Sequence, residues 1–254
     1  MRTSPPHAAV AGTGLSAVWA SCFLAAANAH DHELAPLVVQ VQDDLGATED
    51  TELRARLDVA LASSGNSSVE SVATTIFPQR KWIAAQGNRD AFFGGYLRVY
   101  PRIKAMDSRN RKGTYFGRLI EPLANVPEGQ LEHLIRLYQG NPSVVKMKLQ
   151  AGIFRSDQDH ESGARPGFPC LQQISLAPYG SSLSLNCFYA SQQLLLKGYG
   201  NYLGLIRLGR FLAGEMGLTF SALNVLVGMA KLDHGGISRD HFDSLQQRAQ
   251  EVLS

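Results

Sequence analysis

The sequence predicts one α+β domain spanning residues 1–254, and three observations predict it. Apolar residues recur at helical spacing in some segments and alternate with polar ones in others. No internal repeat and no low-complexity linker divides the two kinds of segment, so one layered unit is the economical reading. A chain of 254 residues buries about three quarters of its unfolded surface, which is enough without a disulfide staple.

The elements follow in chain order. Residues 8–29 are largely apolar, and Ala27-Asn28-Ala29 before His30-Asp31 looks like a leader-cleavage site behind a weakly basic start, Arg2 and His7. Gly12, Thr13 and Gly14 break the run, however, and a buried first helix over 15–27 is the preferred reading, with Val18, Phe23 and Leu24 inward. That reading makes the protein cytoplasmic. Leu53, Leu57, Ala60 and Leu61 give a helix over 51–63, stopped at Ser64-Gly65-Asn66. Residues 69–77 are a second helical or mixed run closed by Pro78, and 98–112 is a basic stretch of loop and helix. Residues 130–138 form an amphipathic helix ended at Gly140-Asn141-Pro142.

From there the period changes. Alternation over 145–150 predicts a strand, and 157–167 a polar loop. Residues 171–176 and 183–189 flank the turn Ala177-Pro178-Tyr179-Gly180-Ser181 as a hairpin, with Leu183, Leu185, Cys187 and Tyr189 on one face. Leu205, Leu208 and Leu212 stripe a helix over 202–216, capped by Gly217. A strand over 222–227 and a polar helix over 239–253 complete the chain.

Composition excludes several function classes. Lys and Arg number 24 against 22 Asp and Glu, so bulk charge does not make this a binder of nucleic acid polymers. No run of about 18 apolar residues exists to span a membrane. The three cysteines and seven histidines show no metal spacing, so no metal site is expected, and Gly94-Gly95 and Gly235-Gly236 match no phosphate-loop pattern. Cys22 and Cys187 lie on apolar faces and belong to the core. Cys170, after Pro169 at the exit of the polar loop, is either a nucleophile facing a cleft or a small buried hydrophobe.

Four segments in order carry a family resemblance: Gly113-Thr-Tyr-Phe-Gly-Arg-Leu, Asn141-Pro-Ser, Pro169-Cys-Leu-Gln, and residues 188–205. Together they resemble the thymidylate synthase and pyrimidine hydroxymethylase family, closest to its short archaeal-type members. The resemblance is strongest over 113–234. It implies a three-layer α/β sandwich with a large mixed sheet flanked by helices, and a homodimer formed across that sheet. It also implies folate-dependent C5 methyl or hydroxymethyl transfer to a pyrimidine nucleotide or nucleoside, with 5,10-methylenetetrahydrofolate as the one-carbon donor. Cys170 would be the nucleophile and Glu70 the catalytic carboxylate; Asn201 matches the residue that reads the uracil edge, Ser191 a phosphate contact, and Gln172 the neighbour of the nucleophile.

The departures from the family are as informative as the matches. Ala190 stands where the family has the arginine that binds phosphate and supports the thiolate, and Gln193 replaces an aspartate. Val145-Lys146 replaces an arginine pair, and Ala230-Lys231-Leu232-Asp233 replaces the ribose-holding Ala-His-x-Tyr. Lys146, Lys197 and Lys231 remain as cations for rebuilding an anion site, without the bidentate fork of arginine. Gln193, Lys231 and Asp233 are carried as substrate-binding candidates at these changed positions. The expectation is therefore an enzyme acting on a pyrimidine other than ordinary dUMP; the alternative is a non-catalytic relative that binds a nucleotide or a partner protein.

Overall fold

The computed structural model describes residues 4–43, 49–160 and 169–254. Its strands are β1 (Ala8–Thr13), β2 (Glu33–Leu34), β3 (Leu37–Gln42), β4 (Gln150–Gly152), β5 (Leu171–Tyr179), β6 (Ser182–Gln193) and β7 (Thr219–Lys231). They form one mixed sheet in the order β1-β3-β7-β6-β5-β4, with β2 on the last residues of β7. β1–β3 and β6–β7 are parallel and the other pairings antiparallel. A parallel neighbour requires a crossover, and α9 (Tyr199–Glu215) provides it between β6 and β7.

The helices are α1 (Leu15–Ala27), α2 (Thr51–Ser63), α3 (Val69–Ile76), α4 (Gln79–Ala84), α5 (Arg89–Met106), α6 (Tyr115–Ile120), α7 (Gln130–Gly140), α8 (Ser156–Asp159), α9 and α10 (Arg239–Leu253). Side chains on paired strands share a face, and Val39, Val225, Cys187 and Ile174 form one lateral row of the buried side. Against that side pack Trp19 and Phe23 of α1, stacked at 5.1 Å, with Tyr199 edge-on to Trp19 at 5.6 Å. The Leu205–Leu208–Leu212 stripe of α9 is fully buried, as its spacing predicts.

The opposite side of the sheet carries Val38, Leu226 and Phe188 in register, each at least 40% exposed. The next row is a ladder of amides: Gln40 donates to Asn224 at 2.9 Å, Asn224 to Asn186 at 2.8 Å, and Asn186 to Ser175 at 3.5 Å. The described residues thus build the α+β fold that was expected, a large mixed sheet flanked by helices, with α10 packed on α1 and α3 on α9.

Two sequence expectations change. Residues 146–148 are a 3₁₀ turn and not a strand, because Val145 and Met147 point to solvent and only Leu149 is buried; pairing starts at Gln150. β1, β2 and β3 were not expected, and they extend the sheet beside β7. Residues 161–167 of the expected polar loop lie outside the described residues, and 156–159 ahead of them form α8. Among the described residues no helix is long and apolar enough to cross a membrane.

Candidate active site

The hairpin delivers Cys170. Pro169-Cys170 precedes β5, and the Ala190 amide donates to the Cys170 carbonyl at 3.1 Å, which fixes the cysteine beside the end of β6. Here the strands depart from strict alternation. Tyr189 and Gln192 are both inward, three residues apart, and β7 makes the same step from Val227 to Ala230, while β5 shifts register between Leu171 and Gln173. Gly228 permits the close approach at this step, since a Cβ there would lie 2.8 Å from the Ala190 carbonyl oxygen. The step turns Ser191 toward the thiol, and its hydroxyl donates to Cys170 Sγ at 4.0 Å.

Asn201 arrives from the first turn of α9, after the π-helical turn Leu194–Gly198. Two glycines let α3 press against α9 here. A Cβ on Gly200 would sit 2.6 Å from Val72 Cβ, and one on Gly204 2.8 Å from the Ala73 carbonyl oxygen. This contact brings Ser71, Val72 and Thr75 to the same space as Asn201.

The third wall is the 107–115 loop, and two tyrosines of α5 hold it. Tyr96 Oη lies 2.7 Å from Thr114 Oγ1, and the Thr114 amide donates to Tyr100 Oη at 3.3 Å. Gly113, at φ 107°, and Gly117 both lie against Tyr100, where a Cβ would meet ring or hydroxyl atoms at 2.1–2.4 Å. That contact accounts for both glycines of the Gly113-Thr-Tyr-Phe-Gly117 motif. Arg118, buried and paired with Asp159, donates from Nε and a terminal nitrogen to the Lys112 carbonyl at 3.0 and 2.9 Å.

These elements enclose a cavity of about 600 Å³. Cys170, Asn201 and Gln193 line it, so the structure joins three of the nine sequence candidates there and places Ser191 beside the thiol. Asn201 is 95% buried, and no hydrogen bond among the described residues engages its side-chain amide. Gln172 turns back to donate to the Pro169 and Cys170 carbonyls at 3.0 and 3.3 Å, bracing the approach to the thiol.

The remaining four candidates are not among the lining residues. Glu70 is gripped by both terminal nitrogens of Arg207, at 2.8 and 3.0 Å, with Arg54 at 3.9 Å, which makes it a clamp between α3 and α9. Lys231 pairs with Glu33 at 2.5 Å, Asp233 accepts the Gly235 amide at 3.0 Å, and Lys146 lies 5.7 Å over the Tyr179 ring. Residues the sequence reading did not single out take their place: Gln192, Arg111, Lys112 and Tyr115. Gln192 is buried, accepts from Tyr202 Oη at 2.8 Å, and leaves its Nε2 without a partner. Continued alternation from Leu183 to Tyr189 would have turned it outward, so only the step in β6 reveals it.

Burial dominates the thiol's electrostatics. Burial pushes the Cys170 thiol above its ordinary 9.0, and the hydrogen bond from Ser191 opposes that rise without cancelling it. Burial likewise raises Tyr115, with the charge of a Cys170 thiolate adding to the effect. Among the described residues no group of three or more His, Cys, Asp or Glu side chains is arranged to hold a metal.

No family model and no curated protein matches the chain. Among solved structures it is similar to the thermostable thymidylate synthase A from Bacillus subtilis, at 17% identity and a TM-score of 0.41. That match covers 57% of this chain and 51% of the other, so the chain spans about half the length of the protein it matches.

Proposed function

We propose that the chain is a thymidylate synthase-like enzyme that attacks C6 of a pyrimidine with Cys170 and transfers a one-carbon group to C5. The observation that carries this reading is the convergence of Cys170 and the buried Asn201, whose amide makes no hydrogen bond among the described residues, on one cavity, although 30 residues separate them in sequence. A thiolate adding to C6 of a uracil-type ring pushes the C5–C6 electron pair toward the C4 carbonyl, leaving C5 nucleophilic. The Asn201 amide is suited to that edge, since it donates to O4 and accepts from N3–H. Excluding water around Asn201 strengthens both hydrogen bonds as charge develops on O4.

The lining suits a folate in donor chemistry, because Asp107 and Gln193 offer acceptors to an amino-substituted pterin edge and Val72 an apolar wall. When bound, 5,10-methylenetetrahydrofolate would supply the one-carbon unit. The exposed row of Val38, Leu226 and Phe188 is the proposed dimer face, which a second copy would cover.

One observation favours the alternative, a non-catalytic pyrimidine binder: among the described residues no cationic side chain lowers the Cys170 thiol, and Ala190 stands beside it. The two readings separate on a reaction that needs no folate. Addition to C6 makes C5 accept a deuteron from D₂O, and elimination of the thiolate then releases the original C5 proton. The enzyme reading predicts loss of the C5–H NMR signal from a bound uracil nucleotide, faster as pH rises toward 9. Binding of that nucleotide with its C5–H intact would establish the binder instead.

A further inference from the structure

We propose that the cavity is built for a phosphorylated pyrimidine, and that its phosphate is held by the 107–113 loop, chiefly Arg111, together with Lys197. The pyrimidine half of this proposal rests on the function proposed above; the anion site stands on its own geometry.

Among the described residues three cations line the cavity, Arg111, Lys112 and Lys197, against one carboxylate, Asp107. Lys146 and Lys231, the other cations available to replace the absent arginines, are placed elsewhere, over Tyr179 and against Glu33. Among the described lining residues Arg111 is the one that offers a planar fork, the geometry that grips a phosphate through two parallel hydrogen bonds. It is exposed at the cavity and makes no ion pair among the described residues.

The loop that carries Arg111 is held from several sides. Its own turns close through Asn110 to Asp107 at 2.9 Å, Arg111 to Ser108 at 3.2 Å and Gly113 to Asn110 at 2.8 Å. The Lys112 carbonyl is locked by Arg118, and the Thr114 amide by Tyr100. A loop backbone fixed in this way loses little freedom on binding. Ser71 of α3 adds a hydroxyl to the same lining, while the Thr75 hydroxyl donates to the Val72 carbonyl at 2.7 Å. This arrangement moves anion recognition away from the position beside the nucleophile, where Ala190 has no charge, to a wall contributed by a different part of the chain.

The test compares uridine and cytidine with their 5′-monophosphates, and includes pyrophosphate and folic acid as separate probes, by calorimetry on the full chain. The monophosphate of the recognised base should bind about tenfold or more tightly than its nucleoside. Arg111→Gln should collapse that ratio toward one, while Lys146→Gln leaves it unchanged and added salt weakens the wild-type preference. Arg111 is exposed on a loop, so its variant keeps the fold, and circular dichroism checks this. Equal binding of nucleoside and monophosphate, or an unchanged ratio in Arg111→Gln, overturns the proposal. If no pyrimidine binds, the function proposed above fails and pyrophosphate decides the site: binding that is lost in Arg111→Gln sustains it, and no binding to the wild type ends it. Folic acid binding that depends on Arg111, without any phosphate preference, assigns the fork to carboxylates and also overturns the proposal.

Discussion

The two walls of the cavity are made differently. The wall that bears Cys170, Gln192 and Asn201 is built on β5, β6 and α9, where strand register and close helix packing fix each side chain. The facing wall is a loop, held by tyrosine hydroxyls and by one arginine gripping a backbone carbonyl. The first wall keeps the residues that would act on a ring, with Lys197 at the turn between β6 and α9; the second carries Arg111, Lys112 and Asp107. Separating them lets the anion contacts change while the groups around the nucleophile stay in place.

The largest expected effect lies on the first wall. Cys170→Ala should lower C5 exchange by at least ~10³-fold, as loss of a covalent nucleophile does. Cys187→Ala, in the core, should cost stability and leave the exchange chemistry intact, so equal losses of exchange in both variants would erase the distinction. Gly117→Ala probes the second wall by forcing Tyr100 aside, and should destabilise by about 1–3 kcal/mol in urea unfolding. An unchanged midpoint would show that the loop is not pinned there.

Asn201→Ala should weaken pyrimidine binding by roughly 10-fold, the worth of about one well-made buried hydrogen bond, with nucleotide and nucleoside affected alike. The smallest effect belongs to Glu70. Arg207 beside it holds its carboxyl below the ordinary 4.5, so its contribution to stability is present above that pH and is lost as pH falls through the lowered value. The pair is partly solvent-screened, so Glu70→Gln should cost under ~1 kcal/mol at pH 7 and leave C5 exchange unchanged. A collapse of exchange in Glu70→Gln would return this carboxylate to the chemistry.

Much of the helical structure and the hairpin was legible from period alone. The first helix ends where its flanking residues suggest, and the Leu183–Tyr189 face is inward. β3 escaped because Val38 interrupts the alternation of Leu37, Val39 and Val41, and its partners β1 and β7 are fixed by pairing between distant segments. Residues 145–150 misled for the opposite reason: they alternate, yet Val145 and Met147 face solvent. At the site, a family pattern located Cys170 and Asn201, but it attached Glu70 to the chemistry where the fold spends it on Arg207. Arg111 carried no local signal beyond lying in a basic stretch, because only the tyrosine pins place its loop at the cavity.

The central claim is that Cys170 and Asn201 act on one bound pyrimidine. Alkylation of Cys170 by iodoacetamide, followed by peptide mass spectrometry with and without uracil and cytosine nucleotides, tests it most directly. A recognised nucleotide should slow alkylation at Cys170 in the wild type, and Asn201→Ala should need about tenfold more nucleotide for the same protection while Cys22 and Cys187 stay unmodified in both. Alkylation of Cys170 at the same rate whatever pyrimidine is present would contradict the account.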